Sequence, residues 1–243
     1  MGVDTFGTPI DYPPVRREHE ITRLEAFSDA VFGFTLTLLV VALEVPRSYG
    51  ELTAMMGGFL SFACCFTLLV WIWHEHNRFF RRYGLQDGYT VVLNGGLLFV
   101  VMFYVYPLKF MFDSLFGRFV AGGRHAPEPM TLSELASAGV LYALGFVAVF
   151  SMFALLYAHA LSKRQELQLT RLDVFDARAI IGHHLVSVGV GFISMAIAYF
   201  APVRFAPLAP SAFILMGPAH YLWGATTARR RSAVERVPAG RTA

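Results

Sequence analysis

Charge is scarce in this chain. Only 15% of its 243 residues are Asp, Glu, Lys or Arg, against 56% hydrophobic residues and a mean hydropathy of +0.52. Soluble domains carry roughly 25% charged residues. The composition therefore excludes an ordinary soluble enzyme, and equally a disordered chain or a collagen-like one. Cysteine is nearly absent too. Cys64 and Cys65 are adjacent within an apolar run, so they cannot staple distant segments, and no CxxC or zinc spacing exists. Also missing are HExxH, a P-loop, a nucleophile elbow and a GxGxxG in a strand–helix setting. Residues 1–20 carry Asp4, Asp11, Arg16, Arg17, Glu18 and Glu20, and are not expected to act as a cleavable signal.

What the chain does have is long apolar runs. Crossing ~30 Å of hydrocarbon takes ~20 apolar helical residues. Six segments meet that length: Leu24–Val45, Leu52–Trp73, Tyr89–Phe112, Leu132–Leu161, Ala179–Phe200 and Leu208–Ala228. The expected fold is all-α, a polytopic membrane protein embedded in a lipid bilayer. Residues 1–19 read as an N-terminal arm, 20–228 as the transmembrane domain and 229–243 as a basic tail. The loop 113–131, rich in glycine and proline, reads as irregular.

The net charge of +3 does not indicate nucleic acid, because the charges lie between the apolar runs and not along one face. Their distribution sets orientation instead. With a cytoplasmic N-terminus and six spans, fifteen of the 20 Lys and Arg residues fall on the cytoplasmic side and five outside. That asymmetry predicts both termini in the cytoplasm.

Ionisable groups inside spans point to function. In the first span, Asp29 lies six residues, or ~9 Å, beyond Arg23 along a helix. A carboxylate at that depth needs partners. Ser28 precedes it, the second span ends in Trp71, Trp73, His74 and His76, and Asn94 lies one turn into the third. Arg23, Ser28, Asp29, His74 and Asn94 can form one polar layer joining three helices. Equally, each can anchor its own helix at the interface. Histidines 74 and 76 point ~200° apart on a helix and cannot share one metal ion. His183 and His184 are adjacent, and His220 stands alone, so no metal site is expected.

The first span also carries a seam. Ala30, Phe34, Thr37 and Val41 are spaced four, three and four apart, on one helical face. It is either a packing face or, around an axis of four copies, a tube with one hydroxyl ring. Hydrophobic constrictions gate by dewetting, and oxygen rings replace ion hydration.

The run Arg23-Leu24-Glu25-Ala26-Phe27-Ser28-Asp29 resembles the RxxxFSD signature of the transmembrane protein 175 family, the endolysosomal potassium channel and its bacterial relatives. Thr37-Leu38-Leu39-Val40 is similar to the family's TLLV stretch. Trp71 and His74 match its WxxH, and Asn94 and Pro107 the polar start and proline end of its third span. The resemblance covers residues 21–110. Six spans with a single signature look like the bacterial form.

The resemblance implies a homotetrameric potassium channel in a bacterial plasma membrane, with no cofactor and potassium as the permeating ion. Phe34, Thr37 and Val41 would line its pore. Arg23, Phe27, Ser28, Asp29, Trp71, His74 and Asn94 would form a structural network. The family lacks the TVGYG filter, as does this chain. Phe34 stands where the family usually carries isoleucine or leucine. A secondary transporter, with a pocket at broken helices, is the alternative reading, supported weakly by Gly189, Gly191 and Pro218.

Overall fold

The computed structural model describes residues 21–41, 45–120 and 131–235. All regular structure among them is helical: α1 Arg23–Val41, α2 Tyr49–Gly57, α3 Phe59–Tyr83, α4 Gly88–Val120, α5 Leu132–Ser162, α6 Arg171–Phe200 and α7 Met216–Glu235, with two 3-10 segments, Val203–Leu208 and Pro210–Leu215, before α7.

Three of the long helices begin at a local signal. Thr22 and Glu25 satisfy each other's backbone N–H groups ahead of α1. Thr131 with Glu134, and Thr170 with Asp173, form capping boxes at α5 and α6. At the other end of α3, Gly84 adopts φ 58°, a left-handed turn that suits glycine.

Among the described residues, five helices are long and apolar enough to cross a membrane: Arg23–Val41, Phe59–Tyr83, Gly88–Phe116, Leu132–Ser162 and Arg171–Phe200. Several boundaries differ from the sequence expectation. The second span begins at Phe59, because Gly57 and Gly58 separate the short α2 from α3. It continues through Arg78, Arg81 and Arg82, which were expected in a loop. The third helix passes through Pro107 and runs to Val120, so residues 113–120 are helical; the remainder of that expected loop, 121–130, lies outside the described residues.

The segment expected as a sixth span is interrupted. Pro207 and Pro210 have no N–H to donate, and tight 3-10 turns fill 203–215 before α7 starts with Pro218 in its first turn. The expected boundary at 229 falls inside α7, whereas the arm 1–19 and residues 236–243 lie outside the described residues.

This last segment runs back along α6. Ser194 Oγ donates to Ala209 O at 2.8 Å, Trp223 Nε1 to Ala179 O at 2.9 Å and Arg231 Nε to Asp176 Oδ1 at 3.1 Å. From Ser194 to Asp176 is ~27 Å of helix. Trp223 lies where Gly182 has no side chain, an approach any Cβ there would block.

Leu97, Val101, Val105, Leu108, Phe153, Leu156 and Tyr157, on α4 and α5, form the middle of a continuous apolar core with Phe79 and Phe80 of α3. The helix α1 packs against α3 and α4 only through one stripe: Ser28, Phe32, Thr35 and Leu39 are its buried residues.

Asp87 ties the start of α4 to the end of α5. Its carboxylate accepts from the backbone N–H groups of Tyr89 and Thr90 and meets His159 Nε2 at 3.0 Å. Partial burial raises its proton affinity, but the His159 and Thr90 hydrogen bonds outweigh that and hold the carboxyl well below its usual range. A depressed folded value stabilises above the unfolded one, ~3.9, and the benefit is lost as pH falls through the folded value. Asp87→Ala is therefore expected to lower stability by about 1–2 kcal/mol at pH 7. Thermal melts of variant and parent should converge only in strongly acid solution; a pH-independent gap would remove the charge from this account.

A polar layer and an open face on the first helix

Three helices meet at a buried polar group. Asn94 lies six residues into α4, ~9 Å from its start. Its Nδ2 donates to Ser28 Oγ of α1 at 2.9 Å, and its Oδ1 stands 2.7 Å from His76 Nε2 of α3. With the amide so oriented, Oδ1 accepts and His76 carries its proton on Nε2. Ser28 in turn donates to Leu24 O at 2.7 Å. The His76 ring lies between Phe32, 5.4 Å away, and Phe80, 4.6 Å away. Ser28, His76 and Asn94 are all buried.

The histidine differs from the one expected. His74 is exposed, and His76 meets Asn94. The rule that residues two apart face opposite ways allows only one of the two inward. The apolar stripe of α3 selects His76: Leu69, Ile72, His76, Phe79 and Tyr83 are spaced three or four apart and all buried. That phase was available in the sequence.

Asp29 also differs. Its Oδ1 accepts from Trp73 Nε1 at 2.7 Å, and the carboxylate remains exposed at the edge of the protomer. Arg23 is exposed, and so is Phe27. Trp71 turns away toward α5, its ring 5.7 Å from Phe150. Of the seven network residues, the protomer thus joins Ser28 to Asn94 directly; His76 and Trp73 complete the contacts with them and with Asp29.

The seam lies on the opposite side of α1. Each of Ala30, Phe34, Thr37 and Val41 follows a buried residue, Ser28, Phe32, Thr35 or Leu39, by two positions. Two positions are ~200° around a helix. All four seam residues are exposed, Phe34 by 57% and Val41 by 72%. Thr37 Oγ1 donates to Gly33 O at 2.7 Å. Its proton is thereby committed to its own helix, and the oxygen keeps lone pairs to offer outward.

Among the described residues, no three His, Cys, Asp or Glu side chains cluster as a metal would require.

Known proteins resemble this chain in sequence and fold. The family of the endosomal/lysosomal potassium channel TMEM175 matches residues 23–104, which carry α1, α3 and the first half of α4. A potassium channel of Marivirga tractuosa is 37% identical over 194 residues, covering 76% of this chain and 78% of its own. A solved structure of a variant of the potassium channel MtTMEM175, in complex with a nanobody–MBP fusion, superposes with a TM-score of 0.81 at 32% identity, over 90% of this chain and 99% of that one. The lysosomal potassium-selective channel TMEM175 homologue from Chamaesiphon minutus shares the fold, with a TM-score of 0.53 at 24% identity, over 86% of this chain and 96% of that one.

Proposed function

From the premise that the chain belongs to the TMEM175 family, ion channels and not enzymes, we propose that four copies form a potassium-permeable channel with the exposed face of α1 around its axis. The observation that carries this reading is the pair of stripes on α1. One is buried within the protomer. The other, ~200° away, is apolar apart from Thr37 and is left uncovered by the described residues.

Around a four-fold axis, Phe34 forms the narrow apolar ring, with Val41 a second one about two turns beyond. An apolar ring resists wetting and so sets a barrier to ions. Thr37 lies ~4.5 Å past Phe34. Four Thr37 oxygens, their protons turned back to Gly33, would meet a partly dehydrated cation as acceptors only. The ring is neutral, so its preference for potassium over sodium rests on ligand number and flexibility. Neither a TVGYG filter nor a cofactor enters this scheme; the partners are potassium ions, the lipid bilayer and three further copies of the chain.

The protomer crosses the membrane six times, with both termini in the cytoplasm of a bacterium and the channel in its plasma membrane. The return of residues 203–235 along ~27 Å of α6 supports the sixth crossing, and the fifteen-to-five division of basic residues supports the orientation. Ser28, Asn94 and Asp29 hold α1 in register, and do not bind the ion.

Thr37→Val tests the hydroxyl ring while keeping the side-chain shape. The variant should remain tetrameric and show a clear drop in the potassium-to-sodium permeability ratio in planar bilayers. A bi-ionic reversal potential equal to the parent's would falsify this role for Thr37.

A further inference from the structure

Far from α1, three histidines lie where α6 and α7 meet. His183 and His220 face each other, with Nδ1 to Nδ1 at 2.9 Å and ring centroids 3.9 Å apart. The second His220 nitrogen, Nε2, is 3.1 Å from Ser187 Oγ. One turn along α7, Trp223 bonds the carbonyl of Ala179 and lies over Gly182. Two ring nitrogens at 2.9 Å require one proton between them, because two lone pairs repel and so do two N–H groups.

We propose that the His183–His220 pair is an acid-released latch that holds the C-terminal helix on α6. In the neutral pair, one ring donates through Nδ1 and the other accepts. A first added proton goes to an Nε2 nitrogen and leaves the shared proton in place. A second sets N–H against N–H and places two imidazolium rings side by side. The nitrogen–nitrogen bond then breaks and α7 loosens from α6.

The surroundings set how acid the solution must be, because buried and cationic neighbours resist each added proton. On α6, His184 is buried against Phe153 and Tyr157 of α5. From α3, the Arg78 guanidinium is within electrostatic range of His184, as are His183 and His220. The 3-10 segment Pro210–Leu215 brings no titratable side chain. On α7, Tyr221 is exposed, and Arg231 is bonded to Asp176. Asp176 is the nearest acidic residue along α6, two turns from His183, and Arg82 holds it as well. Arg78 is itself paired with Glu75 of α3 at 3.4 Å, so both carboxylates named here, Glu75 and Asp176, are already engaged by arginines. Release needs the second proton and is expected only on the acid side of ~6.5, the value of an unperturbed ring. The latch is independent of which ion passes along α1.

Hydrogen exchange on the full channel in liposomes tests it, with rates corrected for their intrinsic pH dependence. Between pH 7.5 and 5.0, protection of residues 216–231 should fall tenfold or more, while that of 143–157 in α5 stays level. His183→Gln and His220→Gln carry no titrating ring, and each should abolish the pH dependence. An undiminished pH effect in both variants, or none in the parent, would overturn the latch. A second readout guards against misfolded variants: in the ¹⁵N-histidine-labelled parent, a scalar coupling between the two Nδ1 nuclei should be present at pH 7.5 and gone at pH 5.0. Its absence at pH 7.5 would equally overturn the proposal.

Discussion

Asn94→Ala is expected to abolish recovery of the assembled protein. From α4, Asn94 bonds both α1 and α3. Its removal leaves the His76 N–H buried between two aromatic rings with no acceptor. An unpaired buried donor costs about 1–3 kcal/mol, and more where hydrocarbon replaces water. The loss falls on the contact that sets the rotation of α1. Size-exclusion chromatography and thermal melting of the detergent-purified protein measure it. The reverse experiment is more discriminating. Asn94→Leu combined with His76→Phe replaces both partners by apolar groups, and should recover much of the lost stability. If Asn94→Ala purifies and melts like the parent, the layer does not hold α1.

Phe34→Ala should produce the largest change in current. In the proposed four-fold pore, the substitution would take four rings off the axis and leave the span between Ala30 and Thr37 wide enough to stay wet. Single-channel conductance in planar bilayers should rise severalfold, with selectivity lower or level. Assembly should not suffer, because Phe34 is exposed on the protomer and makes no part of the core. A current–voltage curve like the parent's, from a normally assembled protein, would assign the barrier to Val41.

Most of the helices could be read from the sequence, since hydropathy over ~20 residues is a strong signal. The seam of α1 was legible for a related reason: four and three residue spacings define a face whatever it contacts. The polar layer was only half legible. Ser28 and Asn94 meet, but the layer expected at His74 holds His76 instead. The choice required the phase of α3, and that phase is fixed by residues up to Tyr83, beyond the span's expected end. Asp29 was expected among several partners because a carboxylate at depth is penalised. Its single indole contact and its exposure reflect a protomer edge, which no intrachain spacing reveals. The final segment was obscured by its composition. Its prolines and three consecutive arginines reduce its hydropathy, whereas the bonds that align it with α6 come from isolated residues such as Ser194 and Trp223.

About half the circumference of α1 is exposed among the described residues. The intrachain part of its docking free energy comes from one stripe with the Asn94 bond and from the Trp73–Asp29 bond at its edge, a quantity that does not vary with concentration. Whatever the other half contributes is a mass-action quantity, shared between copies. The conducting helix would then be the most dilution-sensitive element of the molecule. Subunits synthesised one at a time would hold it loosely until neighbours accumulate, so that isolated protomers present no finished ion path and leak is suppressed before assembly is complete.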